Sequence, residues 1–170
     1  MVSQIEGILK NIGAFAATFS EIGQHAPVQG IVRGVEAFNA AGADIIVSIG
    51  GGSPIDATKA IVHRLHLQNG DKFLNHIAIP TTLSAAEYRV SSSPTRTPIN
   101  HSSHQGSAGY TDEQGNKVGV NGPMIAPAGV ILDAELTLVT PQELWYASRL
   151  SFSSHAQHEV PTGYQRAFGL

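Results

Sequence analysis

The amino-acid sequence predicts an α/β protein built on a partial, doubly wound parallel sheet. Two short apolar stretches, 45–49 and 76–79, have the length and composition of strands buried on both faces of such a sheet. A helical pattern of crossover length separates them, which favours parallel strands joined by a right-handed connection. Three consecutive glycines, residues 50–52, follow the first strand and indicate a tight turn from strand to helix.

Hydrophobic patterns predict the other elements in chain order. Apolar residues three and four positions apart indicate amphipathic helices, and short apolar runs indicate strands. The predicted elements are helix 3–12, strand 14–19, helix 28–41, strand 45–49, helix 53–66, strand 76–79, hairpin 109–120, strand 130–132 and a helix with Thr140 as N-cap and Pro141 as its first residue. Asp133 follows the last strand, and we expect it to cap and fix the turn there.

The overall composition excludes several classes of protein. The 170 residues suggest one domain, or one domain plus a piece, and a net charge of −3 offers no basic surface for nucleic acid. The absence of cysteine excludes disulfides and thiolate metal sites. No apolar run approaches a membrane span, and the first residues do not resemble a secretory signal. We therefore expect a cytoplasmic protein whose partner is a small-molecule substrate, with assembly into homo-oligomers left open.

The glycine turn has the features of an anion site. Ser53 is predicted to be the N-cap of the following helix, with Pro54 as its first residue and Asp56 closing a capping box. The free amides and the positive dipole end of that helix would face the turn, which suits a phosphate or pyrophosphate. The pattern is neither a P-loop nor the ordinary dinucleotide fingerprint, because Ile55 replaces the third glycine of the latter. A purely structural turn remains the alternative.

A second polar group follows the second strand. Thr81, Thr82 and Ser84 offer hydroxyls directly after residues 76–79. Because parallel strands end at the same edge of a sheet, these hydroxyls and the glycine turn are predicted to share one ligand-binding edge. The alternative is a turn held by local side-chain to backbone bonds. Lys59, nearly two turns into the helix, is either a solvated lysine or an electrostatic aid to phosphate binding.

Three ordered motifs together resemble the iron-containing alcohol dehydrogenase family, and in particular its maleylacetate reductase-like branch. They are Gly-Gly-Gly-Ser-x-x-Asp-x-x-Lys at 50–59, Ile-Pro-Thr-Thr-Leu-Ser-Ala-Ala-Glu-Tyr at 79–88 and Ile-Leu-Asp-Ala-Glu-Leu-Thr-Leu at 131–138. The resemblance implies the Rossmann-like cofactor domain of the dehydroquinate synthase-like fold. It also implies hydride transfer between NAD or NADP and an alcohol, carbonyl or enoyl substrate. The cofactor-binding residues that it implies are Gly50, Gly51, Gly52, Ser53, Asp56, Thr81, Thr82, Ser84 and Lys117. Among these, the glycines and Ser53 would meet the pyrophosphate, the hydroxyls the adenosine side, and Lys117 a ribose.

The resemblance covers most of residues 1–148, which we interpret as a partial nicotinamide-dinucleotide-binding domain. Residues 90–105 are rich in Ser, Thr and Pro and are predicted to be a disordered insertion, for which we hypothesise a retained intron. Residues 149–170 form a divergent tail in place of the family's helical second domain.

That second domain binds Fe²⁺ or Zn²⁺ in the metal-dependent members, so no metal site is expected in this chain. No catalytic residue is assigned. Three interpretations stay open: a truncated oxidoreductase, a non-catalytic nucleotide-binding remnant, or a fragment that does not fold alone. The sequence decides neither the substrate nor the choice between NAD and NADP.

Overall fold

The computed structural model describes residues 1–70, 74–89 and 105–149, which contain both helices and strands. The elements are α1 (Val2–Asn11), α2 (Val28–Ala41), β1 (Ile45–Gly50), α3 (Gly52–Asn69), β2 (Asn75–Pro80), a 3₁₀ turn (Ala86–Tyr88), β3 (Gln105–Thr111), β4 (Lys117–Pro123), β5 (Gly129–Val130) and α4 (Ala134–Thr137). Residues 142–149 are also helical. The predicted insertion and the divergent tail lie outside the described residues, except for their border positions 105 and 149. The division into 1–148 and 149–170 stays a prediction.

The sheet is parallel, as predicted, with the strand order β1-β2-β5. Strands β1 and β2 pair in register from Ile45 opposite Asn75 to Gly50 opposite Pro80. The ladder continues past the strand ends, because the Thr81 amide donates to the Gly50 carbonyl at 2.9 Å. The segments that follow the two strands therefore start side by side at one edge.

Helix α3 lies at the centre of the structure. It packs against α2, and the largest cluster of buried side chains includes residues from both helices: Ala26, Ile31, Val35, Ala57, Ala60, Ile61 and Leu65. Gly34 of α2 allows the close approach, since a Cβ there would lie 2.5 Å from Ile61 Cδ1. The antiparallel hairpin β3–β4 also contacts α3. This central helix carries the glycine turn at its first residue.

Three sequence predictions about strands are wrong. Residues 14–19 form no strand; instead Thr18 Oγ1 donates to Glu6 Oε1 at 2.6 Å, so the segment packs back on α1. Strand β1 is not buried on both faces, because Ser48 is its one buried residue and Ile45 is 39% exposed. The predicted strand 130–132 shortens to β5, and Ile131 and Leu132 after it are exposed.

The predicted hairpin and the predicted cap are confirmed. The turn between β3 and β4 is closed by the Asp112 carboxylate, which accepts from the amides of Gln114 at 3.0 Å and Asn116 at 2.7 Å. Asp133 accepts from the Glu135 amide at 2.9 Å and so caps α4. Within the described ranges, no helix combines the length and the apolar character needed to cross a bilayer.

A buried histidine joins strands β1 and β2. His76 of β2 is 1% exposed, and its Nε2 lies 2.7 Å from Ser48 Oγ of β1. Burial, and to a smaller degree the charge of Lys59, lowers the pKa of His76 to about 4. The unfolded chain therefore binds more protons at this residue than the folded chain as the pH falls from about 6.5 towards 4.

We expect His76 to make the protein less stable in mild acid. Above the ordinary histidine pKa of 6.5, His76 is neutral in both states and does not lower the free energy of unfolding. As the pH falls from about 6.5 towards 4, the free energy of unfolding decreases. Between about pH 7 and pH 5 the loss should be roughly 2 kcal/mol in the free energy of unfolding. Burial raises the pKa of Asp56 and Glu87, which acts in the opposite sense, so wild type must be compared with His76→Gln. Urea unfolding at both pH values measures the difference; equal pH dependence in the two proteins would contradict the assignment.

Candidate functional site

Helix α3 begins earlier than its capping signals predict. Gly51 occupies the N-cap position without a side-chain cap, Gly52 is the first helical residue, and Pro54 is the third. Ser53 does not cap because its Oγ accepts from the His25 amide at 3.0 Å. Asp56 closes no capping box, because its carboxylate accepts from Arg89 at 3.1 Å. The first amides of an 18-residue helix thus lie on a turn with no capping side chain over them.

The glycines are required by close contacts on both sides of the turn. Gly50 has φ +142, and a Cβ there would lie 2.9 Å from Pro54 Cγ. A Cβ on Gly51 would lie 3.1 Å from Thr82 Cγ2 and 3.2 Å from its Oγ1. A Cβ on Gly52 would lie 3.1 Å from Ser84 Oγ. The two segments predicted to share an edge of the sheet are therefore in direct contact there.

The hydroxyls beside the glycine turn include two without partners. Thr81 and Thr82 are each 7% exposed. Thr82 Oγ1 and Ser84 Oγ are buried, and no described residue forms a hydrogen bond with either of them. An unpaired buried hydroxyl is costly, and native proteins rarely retain one without a ligand or a water to satisfy it. The pair therefore offers donors and acceptors to a ligand that reaches the turn.

The segment that carries Thr81, Thr82 and Ser84 is hydrogen-bonded to residues in and just before the helical segment 142–149. The Thr140 hydroxyl donates to the Thr81 carbonyl at 2.7 Å, and the Leu83 amide donates to Ser148 Oγ at 3.0 Å. Helical structure starts at residue 142, so Thr140 is not the N-cap that the sequence predicts. Its hydroxyl instead fixes the start of the ligand edge.

Lys59 is not solvated, so that interpretation is wrong, and its bonds leave no donor for direct contact with a phosphate. Its action as an electrostatic aid stays a prediction. It is 0% exposed, and its Nζ donates to the carbonyls of Ala86 at 2.7 Å, Ser107 at 3.0 Å and Arg89 at 3.3 Å. Burial lowers the pKa of Lys59 to about 8, against the opposing charge of Asp56. Lys59 thus ties α3 to the 3₁₀ turn and to the hairpin.

Asp56 lies in the same buried cluster. Burial raises the pKa of its carboxyl, although Arg89 and Lys59 both oppose that shift. Asp56 is 7% exposed and its carboxylate pairs with Arg89, so it links the start of α3 to the segment after β2. Its role in cofactor binding stays a prediction. Sequence reasoning missed Arg89, because no local pattern links it to a carboxylate 33 positions earlier.

Lys117 is connected to the turn through two other residues. Its Nζ donates to Thr111 Oγ1 at 3.1 Å, and that hydroxyl donates to the His25 carbonyl at 3.1 Å. His25 in turn donates its amide to Ser53. His25 makes both of these contacts through its backbone. Thr111 carried no signal beyond its place in a hairpin.

The site brings together most, but not all, of the predicted residues. Those at the shared edge are Gly50, Gly51, Gly52, Ser53, Thr81, Thr82 and Ser84. Asp56 is paired with Arg89. Lys117 is connected to Ser53 by hydrogen bonds through Thr111 and His25. Among residues 1–70, 74–89 and 105–149, no group of three His, Cys, Asp or Glu side chains could hold a metal ion.

Comparison with known proteins gives consistent matches over this region. A family model described as iron-containing alcohol dehydrogenase matches residues 1–134. Maleylacetate reductase from Rhizobium sp. (strain MTP-10005) is 39% identical over 152 residues, which are 89% of this chain and 36% of that protein.

Solved structures agree with this similarity. The crystal structure of maleylacetate reductase from the same Rhizobium strain matches with a TM-score of 0.69 and 35% identity over 91% of this chain and 37% of that chain. Maleylacetate reductase from Agrobacterium tumefaciens matches with a TM-score of 0.66 and 37% identity over the same shares. The chain thus spans little more than a third of the length of these relatives.

Proposed function

Because the chain belongs to the iron-containing alcohol dehydrogenase family, we propose that the edge formed by residues 50–53 and 81–84 binds NAD or NADP for hydride transfer. The observation that carries the proposal is the pair of unpartnered buried hydroxyls, Thr82 Oγ1 and Ser84 Oγ, beside an uncapped helix start. A dinucleotide supplies phosphate oxygens as acceptors for the helix amides, and the polar atoms of its adenosine side as partners for such hydroxyls. The three glycines carry no side chains of their own, which permits a ligand to approach the backbone of the turn.

Each residue has a proposed task. Gly51, Gly52 and Ser53 present backbone amides and one hydroxyl to the pyrophosphate. Gly50 gives the turn its left-handed conformation. Asp56 holds the first turn of α3 in place from the interior through Arg89.

The remaining predicted residues would hold the two nucleoside ends. The hydroxyls of Thr81, Thr82 and Ser84 bind the adenosine side, and Lys117, at the end of the hairpin, binds a ribose. A cytoplasmic location and assembly into homo-oligomers remain predictions.

The reaction proposed for the whole protein is hydride transfer between the nicotinamide and an alcohol, carbonyl or enoyl group. The bound cofactor supplies the hydride chemistry, and the protein positions it. The described residues bind and orient the nucleotide and assign no acid or base. They also do not fit the family's metal, since they contain no cluster of ligands. We therefore propose that this chain binds the nucleotide, and we propose no catalytic turnover for it.

Isothermal titration of the 170-residue chain with NADH and NADPH tests the proposal. We expect binding of one or both, and Thr82→Val should weaken it about three- to tenfold through the loss of one hydrogen bond. The same substitution should leave the free chain equally stable or more stable, because it removes an unpaired buried hydroxyl. Thr18→Val, at an exposed position on the segment after α1, is the matched control. A cooperatively folded chain that binds neither nucleotide would refute the proposal, and binding without turnover would identify a non-catalytic nucleotide-binding remnant.

A further inference from the structure

We propose that Thr111 is a positioning residue that fixes Ser53 for the nucleotide diphosphate by holding the turn of His25 and Ala26, an inference that rests on the proposed function. Thr111 ends strand β3, 58 positions after Ser53 along the sequence. The connection between them consists of hydrogen bonds that sequence patterns do not indicate.

Two bonds from Thr111 hold the turn. Its amide donates to the Ala26 carbonyl at 3.2 Å, and its Oγ1 donates to the His25 carbonyl at 3.1 Å. A bridge between Pro27 and Thr111 continues this pairing for one more residue. The end of the hairpin is thus hydrogen-bonded to the main chain of the turn at two consecutive residues, His25 and Ala26.

The turn needs such support because its conformation is unfavourable. His25 has φ 62 and Ala26 has φ 49, both in the left-handed region that residues with a Cβ rarely occupy. Ala26 is 0% exposed, so its methyl group is fixed in the core while its backbone is strained. Residues held in this region persist only where the surroundings impose it, and they cluster at functional sites.

The turn at His25 and Ala26 orients the Ser53 side chain. The His25 amide donates to Ser53 Oγ at 3.0 Å, so the serine oxygen is already used as an acceptor. Its hydroxyl hydrogen is left to donate, and a phosphate oxygen is the acceptor that the proposed site provides. If the His25 amide moved, the hydroxyl could rotate and the donor would no longer be directed at the diphosphate.

Lys117 sets the direction of the Thr111 hydroxyl. Its Nζ donates to Thr111 Oγ1 at 3.1 Å, which leaves the hydroxyl hydrogen to point at the His25 carbonyl. Donation from a charged ammonium also strengthens the next bond in such a chain. The relay therefore runs from Lys117 through Thr111 and His25 to Ser53.

The test compares Thr111→Val with Thr111→Ser in the full 170-residue chain. Valine has nearly the shape of threonine and suits a strand, but it lacks the hydroxyl; serine retains it. The probes are ADP, which carries a diphosphate, and adenosine, which does not. We expect Thr111→Val to weaken ADP and NADH binding about three- to tenfold, with adenosine binding unchanged and Thr111→Ser close to wild type. Thr111→Ala is a second variant that should show the same selective loss.

The outcomes are distinguishable. Thr111→Val that binds ADP as wild type does, or that loses ADP and adenosine affinity equally, would overturn the positioning role while leaving nucleotide binding intact. Wild type that binds neither ADP nor NADH would overturn the proposed function and this inference with it. Thermal unfolding of each variant, with titrations run below all midpoints, ensures that a folded chain is compared in every case.

Discussion

Replacing Lys59 with methionine should lower the free energy of unfolding by about 3–5 kcal/mol, a large part of the stability of a small domain. The ammonium is fully buried and donates to the carbonyls of Ala86, Arg89 and Ser107. Methionine fills a similar volume but donates nothing. All these carbonyls would lose a charged donor at once, and the Asp56 carboxylate would lose a neighbouring cation.

Chemical denaturation of the two proteins measures the effect. Lys10→Met is the matched control, because Lys10 is 56% exposed in its ion pair with Glu6 and should contribute less than about 1 kcal/mol. If Lys59→Met shows no cooperative unfolding transition, the loss of stability exceeds the expected range and the prediction still holds. A change no larger than that of the control would show that the buried ammonium contributes little.

Replacing Gly51 with alanine should reduce nucleotide affinity by at least about tenfold. The added methyl group would lie 3.1 Å from Thr82 Cγ2 and 3.2 Å from Thr82 Oγ1, on the same side of the turn as the unpartnered hydroxyl. Threonine is branched at Cβ and buried, so it cannot rotate away cheaply. Either the two segments separate or the methyl group occupies space that the diphosphate needs.

Titration with NADH, together with thermal unfolding, separates the two costs. The loss of stability should be about 1–3 kcal/mol, because alanine is a poor N-cap and its methyl group overpacks the contact with Thr82. Gly7→Ala in α1 is the control, because a Cβ there meets nothing within 4 Å. If Gly51→Ala binds NADH as tightly as wild type, the glycine turn does not lie against the ligand.

The sequence was sufficient to predict the parallel pair of strands, the helix between them and the hairpin, because each depends on local periodicity or turn chemistry. It was sufficient also to predict that the glycine turn and the hydroxyls of Thr81, Thr82 and Ser84 share an edge. Their roles in cofactor binding stay predictions. The failures at residues 14–19 and 130–132 arise because a short apolar run does not reveal whether a neighbour will pair with it or cover it.

The environment of α3 could not be read from its pattern. The helix touches α2, the sheet and the hairpin, so Asp56 and Lys59 lie in a stretch of helix, residues 55–62, in which every residue is buried. An amphipathic pattern assigns charged residues to the surface, and here that rule fails. The cap at Ser53 failed for a related reason: a distant amide, that of His25, takes the hydroxyl that local capping would have used.

Within the part of the chain that the structure describes, the Lys59 ammonium donates its hydrogen bonds to main-chain oxygens alone, and this has a consequence for how the protein can vary. A replacement of the side chain at Ala86 or Ser107 leaves the corresponding oxygen where it was. The hydrogen bonds from Lys59 therefore do not depend on which side chains stand at positions 86 and 107, and substitutions there do not remove the acceptors. Only the lysine itself is irreplaceable, so this part of the protein should tolerate substitution on one side of the contact and resist it on the other.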